Sequence, residues 1–322
     1  MRKLSAILIS LATSVNMFAT DGALSGKFTI NAKGDQVVFS KGNLQYQPST
    51  QTWRFAEDQY TKNSQGNDYS PTSTYWLDLF GWGTSGYNGY NPSLTSSWSD
   101  YYLQGEQDIA NTNYDWGVYI SISNGGAEEG MWFTLSYNEW NYILNKRNNW
   151  NSLRGHATIY TNENKYYMGG YVLLPDDFVV PTNLNFNPCA EEHVENDPNY
   201  QNSYTFDEWL LMEQNGAVFL PQSGTRFETS VGGVTSTGVY WTSTHESVTK
   251  AIAIYFTKYE MYSSRIEDRS MGLSVRLVQK ASTTGIEAAE NGDYKKLKFI
   301  RKGQLLIESN GKTYNATGSE VK

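Results

Sequence analysis

Between Tyr60 and Asp115 the chain places glycine, asparagine, serine or proline every few residues and fills the gaps with aromatic rings, as in WLDLFGWGTSGYNGYNP from Trp76 to Pro92. Breakers at that density stop long helices and strands, while so many rings are out of place in a solvated linker. The segment must therefore be an ordered loop region held by its own side chains. The same balance runs through the whole sequence, with 24 Tyr, 13 Phe, 10 Trp and 28 Gly in 322 residues. It predicts short strands joined by irregular loops, with enough apolar surface for a substantial core.

The flanking sequence supplies the regular elements. Gln36–Ser40, Asn43–Gln47 and Thr52–Ala56 alternate as strands, with turns at Lys41-Gly42 and Pro48–Gln51, and predict an antiparallel meander. Two helices carry complete start signals. In LSYNEWNYILNKR, Ser136 is the N-cap, Glu139 closes a capping box, and Leu135 with Trp140 forms a hydrophobic staple. YTFDEWLLMEQNG repeats the pattern with Thr205, Glu208, Tyr204 and Trp209, and stops at Asn215-Gly216. Further strands are expected at AVFLP (217–221), GVYWTST (238–244), AIAIYF (251–256), MYSSRIE (261–267) and LSVRLVQ (273–279). Beyond a small-residue linker from Ser282, three short runs read as tail strands with a tight Asn310-Gly311 turn. The expected class is α+β, with one domain over 21–281 and a linker and small β tail over 282–322.

Met1-Arg2-Lys3 followed by the apolar run Leu4–Ala19 has the form of a secretory signal, so residues 1–20 are expected to be a signal peptide and the chain to be exported. No other segment approaches membrane-spanning length. The net charge of −8 argues against binding a phosphate backbone, so nucleic acid is not an expected partner. Cys189 is the sole cysteine, which rules out an internal disulfide.

Several stretches invite a chemical reading. Ser243, His245 and Glu246 include the residue types of a hydrolase triad, yet alternation in a strand sets Ser243 and His245 two apart on one face and turns Glu246 away. No nucleophile-elbow glycines surround Ser243. The commoner role is a strand end leaving the core. For metals, His156, His193 and His245 are widely separated. Asp197, Asn199, Gln201, Ser203 and Glu208 match a calcium-loop spacing, but Asn202 stands where that loop needs glycine and Glu208 already serves Thr205. No specific metal or cofactor is expected, with loop-held calcium left open. Asp78, Asp115, Asp176 and Asp177 lie among aromatics and could pair as glycosidase acids, although capping turns is their commoner role.

FTLSYNEWNYILNKR resembles the LT-x-x-EW-x-Y helix of the formylglycine-generating-enzyme-like, C-type-lectin-like superfamily. GVYWTSTHES, AIAIYF and GLSVRLVQ are similar to that group's closing pattern. VVFSKGNLQYQ, LFGWGTSGY and DWGVYISISNGG resemble secreted Bacteroidetes and Fibrobacter paralogous-domain proteins. The resemblance spans about residues 27–279 and implies a C-type-lectin-like domain on a Gram-negative cell surface or outside the cell. It implies structural roles for Tyr240, Trp241 and Arg276, with Ser243 and Thr244 bonding to backbone; Trp140 and Trp209 are structural by the staple reading above. The oxidase members need two cysteines near the domain end, where this chain has none, so formylglycine chemistry is not expected. The tail resembles C-terminal β-modules that include sorting signals; here a sorting or a capping role would suit it.

The implied function is a non-catalytic surface binding or adhesion module for glycan or protein ligands. Tyrosine- and tryptophan-bearing loops give large amphipathic contact area at small entropic cost. The candidate ligand-binding residues are Trp82, Tyr87 and Tyr90 in the first loop region, and Tyr259, Tyr262 and Arg265 around the Thr257–Glu260 turn. A carbohydrate-active hydrolase using paired aspartates, or a structural subunit of a surface assembly, are the alternatives.

Overall fold

The computed structural model describes residues 22–61, 70–92, 101, 105–160, 167–194 and 200–281, together with three tail strands. The signal-like segment 1–20 and calcium-loop positions 197 and 199 lie outside the described residues. The chain divides into a unit ending at Lys280 and a second from Ala281 to Lys322. It is mostly β with few helices, an α+β arrangement of small, largely antiparallel sheets.

The first unit begins with β1 (Phe28–Thr29), β2 (Gln36–Phe39), β3 (Leu44–Gln47) and β4 (Thr52–Phe55). The strands fall where alternation places them, but the expected meander is only half present. β3 pairs with β4, whereas β2 pairs with β1 on one side and with β14 (Val278–Lys280) on the other. A sequence pattern marks a strand and leaves its partner unspecified. Helix α1 (Trp116–Tyr119) is a single turn capped by Asp115.

Helices α2 (Tyr137–Asn145) and α3 (Phe206–Gln214) form as their caps dictate. In each, the cap hydroxyl accepts from the N3 backbone N–H at 3.3 Å and the N3 glutamate accepts from the cap backbone at 2.7 Å. Gly216, at φ 90°, provides the left-handed stop after α3. Each helix then buries its tryptophan, Trp140 or Trp209, in a separate core cluster.

A further sheet contains the expected strand at AVFLP together with three strands that the sequence pattern did not mark. β5 (Arg154–Tyr160) and β6 (Tyr167–Leu173) form an antiparallel pair; β7 (Gln201–Thr205) joins β5 in parallel and β8 (Val218–Pro221) joins β6. β7 also overturns the calcium-loop spacing, because Gln201, Asn202 and Ser203 lie extended in a hydrogen-bonded strand.

β9 (Thr225–Phe227) and β10 (Ser230–Gly232) make a small hairpin. β11 (Gly238–His245), β12 (Lys250–Phe256) and β13 (Met261–Asp268) form an antiparallel sheet. Only the end of LSVRLVQ is strand. Leu273 and Ser274 make single bridges to Phe80 and Tyr240, and Leu273 through Val278 are buried on every side, so this segment threads between core clusters without lying flat in one sheet. The described part of the second unit includes the antiparallel sheet of β15 (Lys296–Arg301), β16 (Gln304–Ser309) and β17 (Lys312–Asn315).

The loop region packs inward. Leu77, Leu79, Phe80 and Trp82 join Trp116, Trp132 and Trp241 in one cluster. Trp82 is fully buried, donates its indole N–H to the Thr242 carbonyl at 2.8 Å, and lies 4.4 Å from the Arg269 guanidinium across its ring face. Gly81 is required beside it, since a Cβ there would meet the Tyr101 ring at 1.9 Å. Trp241 donates to the Phe80 carbonyl at 2.7 Å, and buried Arg276 reaches Gln59 at 2.7 Å and Asn43 at 3.4 Å. Among the described residues no helix is long and apolar enough to cross a membrane.

Candidate functional site

Alternation along β5 sends Ala157 and Ile159 toward Trp209 of α3 and presents His156, Thr158 and Tyr160 on the opposite face. Their partners across the ladder are Tyr171, Gly169 and Tyr167. Gly169 and Gly170 line a hollow between these ring-bearing positions. Gln222, Thr235, Ser236 and the Thr257–Tyr259 turn wall it, forming a cleft of about 430 Å³.

The walls are braced across the hollow. With its amide turned to satisfy both neighbours, Gln222 donates to the Thr235 carbonyl at 2.8 Å and accepts from the Lys258 backbone N–H at 3.1 Å. A Cβ on Gly169 would fall 2.1 Å from that amide, so glycine is what lets the brace lie over β6. Gln201 Nε2 donates to the Lys258 carbonyl at 3.1 Å, and the Tyr259 carbonyl accepts from the Val194 N–H at 2.8 Å. Thr235 is held at φ 68°, a left-handed conformation costly for a β-branched residue and a sign of backbone strain in the wall.

His156 forms part of the floor, almost wholly buried, its ring edge-on to Tyr171 at 5.0 Å. Neither ring nitrogen makes a full hydrogen bond. Burial pushes its pKa down to about 4, aided by the nearby Arg154 charge and opposed by the backbone of Thr257, so the imidazole is neutral at physiological pH. The rim is tyrosine: Tyr167 is half-exposed, Tyr259 is partly buried, and Tyr160 stands 6.3 Å from Tyr167 between ring centroids.

The structure separates the six expected binding residues. Tyr259 alone lines the cleft. Tyr262 and Arg265 lie on β13, where Tyr262 stacks on Tyr255 at 6.1 Å and the Arg265 guanidinium covers the same Tyr255 ring at 4.1 Å while pairing with Glu267 at 2.7 Å. A bulge between Ala253 and Tyr255 brings the three onto one face. Trp82 and Tyr90 are corrected from surface to core. Tyr90 is 2% exposed and packs edge-on against Tyr114 at 5.3 Å, because the glycine turns around it fold the loop back on itself. Tyr87 is partly exposed, between Tyr114 and Tyr119.

The segment with triad residue types forms no triad. Ser243 is fully buried and its hydroxyl bonds to nothing, while its backbone N–H donates to the Leu135 carbonyl at 2.9 Å. The side chains bonding to backbone are Thr242, donating to the Ile252 carbonyl at 2.8 Å, and Thr244, accepting from the Tyr137 N–H at 3.1 Å. His245 pairs through Nδ1 with Asp108 at 2.7 Å.

The aspartates considered as acids are placed away from the cleft. Asp115 is buried and accepts from Gly117 and from the N–H and hydroxyl of Thr134; burial raises its pKa to about 6 against these donors. Asp176 accepts from Thr29, Gln36 and Arg147. The Cys189 thiol is buried, which raises its pKa. Among the described residues no three His, Cys, Asp or Glu side chains gather as metal ligands.

Apart from Tyr259, and from His156 and Gln201 weighed only as metal ligands, the cleft combines residues that sequence reasoning passed over. His156, Thr158 and Tyr160 face Tyr171, Gly169 and Tyr167 across β5 and β6, and the available signal was only the β-branched and aromatic content of RGHATIY and YMGGYVL. Scans against family models, curated proteins and solved structures returned no match to this chain.

Proposed function

We propose that the chain is an exported, non-catalytic binding module of C-type-lectin-like fold that takes a glycan or protein ligand at the Tyr167–Tyr259 cleft. One observation carries this reading: a braced, tyrosine-rimmed hollow whose walls offer hydroxyls and amides in fixed positions. Such a site supplies flat apolar contact and directional hydrogen bonds with little ordering cost on binding. The proposed fold is supported by two capped helices set among short antiparallel strands and long packed loops. The Tyr255–Tyr262–Arg265 face would widen the contact for an extended ligand. Screening the mature chain on a glycan array beside a Tyr167→Ala/Tyr259→Ala variant tests the reading. Signals lost in the variant support it, and identical profiles from both proteins refute the cleft as the site.

A further inference from the structure

The charge of the cleft narrows its ligand, on the premise that the chain is the binding module proposed above. The chain as a whole is acidic, at net −8. Among the described residues that line the cleft, however, Lys258 is the single charged side chain, His156 being neutral. An anion excluded from most of this surface meets no opposing carboxylate from these lining residues.

Lys258 is also held in place. Its carbonyl and N–H are tied to Gln201 and Gln222, each at 3.1 Å, and its ammonium lies 5.3 Å from the centroid of the Tyr259 ring. A cation therefore stands over an aromatic ring at the cleft. The complementary ligand presents an anion directly beside a flat C–H face. A hexuronate does this, because its carboxylate projects from the edge of a pyranose ring whose C–H face can stack on tyrosine. An acidic peptide fits less well: the lining offers hydroxyls and amides from Thr158, Gln201, Gln222 and Ser236, and no aliphatic side chain larger than Ala157 and the threonine methyls to hold apolar residues.

We propose that the cleft binds an acidic glycan, with a hexuronate ring on the Tyr259 platform and its carboxylate on Lys258. Titration calorimetry on the mature full chain tests this with tetragalacturonate, tetramannuronate, cellotetraose, maltotetraose and hexaglutamate. At least one uronate tetramer is expected to bind about tenfold more tightly than either neutral tetramer. Lys258→Met should remove that preference, Lys258→Arg should keep it, and added salt should weaken the uronate complex alone. Thermal melts of each variant report folding. Neutral tetramers bound as tightly as uronates, with Lys258→Met silent, overturn the charge assignment and leave the binding-module reading standing. Hexaglutamate bound in preference to every sugar overturns the glycan assignment. Absence of binding to all five probes by a cooperatively melting protein overturns the acidic-glycan inference, while signals on the array that depend on Tyr167 and Tyr259 would still preserve the module.

Discussion

The Asp176 carboxylate meets the fully buried guanidinium of Arg147 at 3.1 Å, joining the end of α2 to the β1–β2 hairpin through the same carboxylate's bonds to Thr29 and Gln36. Burial lowers the Arg147 pKa and the charge of Asp176 opposes that shift. Removing one partner strands a buried cation, whereas removing both does not. Asp176→Ala should therefore cost about 3 kcal/mol in urea unfolding. Adding Arg147→Met should recover most of that loss, and a double variant as unstable as Asp176→Ala would show that packing matters more than the charge.

Two buried groups give opposite pH dependences. The folded pKa of His156, about 4, lies below the ordinary histidine value of 6.5, so its contribution is lost as pH falls through that window. At pH 5 the loss is about 2 kcal/mol. Asp115 is raised from 3.8 to about 6, so its contribution is present below pH 4 and lost as pH rises toward 6. The two oppose each other between pH 4 and 6. Relative to the parent chain, His156→Gln should gain stability as pH falls from 6.5 to 4.5, and Asp115→Asn should lose it over pH 6 to 4. Urea midpoints across this range would read both differences.

Gly169→Ala places a Cβ 2.1 Å from the Gln222 amide. The brace between Thr235 and Lys258 must move, at a cost of about 1–3 kcal/mol. Ligand affinity should fall further than in a surface alanine control, as calorimetry would show.

Thr235→Gly should act in the reverse sense on stability. Glycine accepts φ 68° without strain, and after its extra unfolded-state entropy a net gain of about 1 kcal/mol is expected in thermal unfolding.

Trp82→Ala should destabilise the fold by about 3–5 kcal/mol, because the ring is fully buried beneath Arg269. Destabilisation below 1 kcal/mol would contradict its placement in the core.

The elements legible in the sequence are those decided by neighbours in the chain. Ser136 with Glu139 and Thr205 with Glu208 specify their helices within four residues, and β2, β3 and β4 alternate visibly. Burial of Trp82 and Tyr90 was hidden because their covers, Arg269 and Tyr114, come from elsewhere in the chain. β5 and β6 escaped because both their faces are largely buried, which erases the polar alternation, and the Gly169-Gly170 pair reads as a turn. The cleft needs six separated stretches of chain to meet. Among its lining residues Tyr259 alone was marked as ligand-binding, while His156 and Gln201 drew notice only as possible metal ligands.

Val37 lies between Phe28 of β1 and Lys280 of β14 in the register of their sheet. Phe28 in the first strand of this unit and Lys280 at its last residue are thus two strand spacings apart, about 10 Å. A unit cut at β1 and β14 would present two ends close enough to be spliced into a surface loop of another protein without prising that loop open.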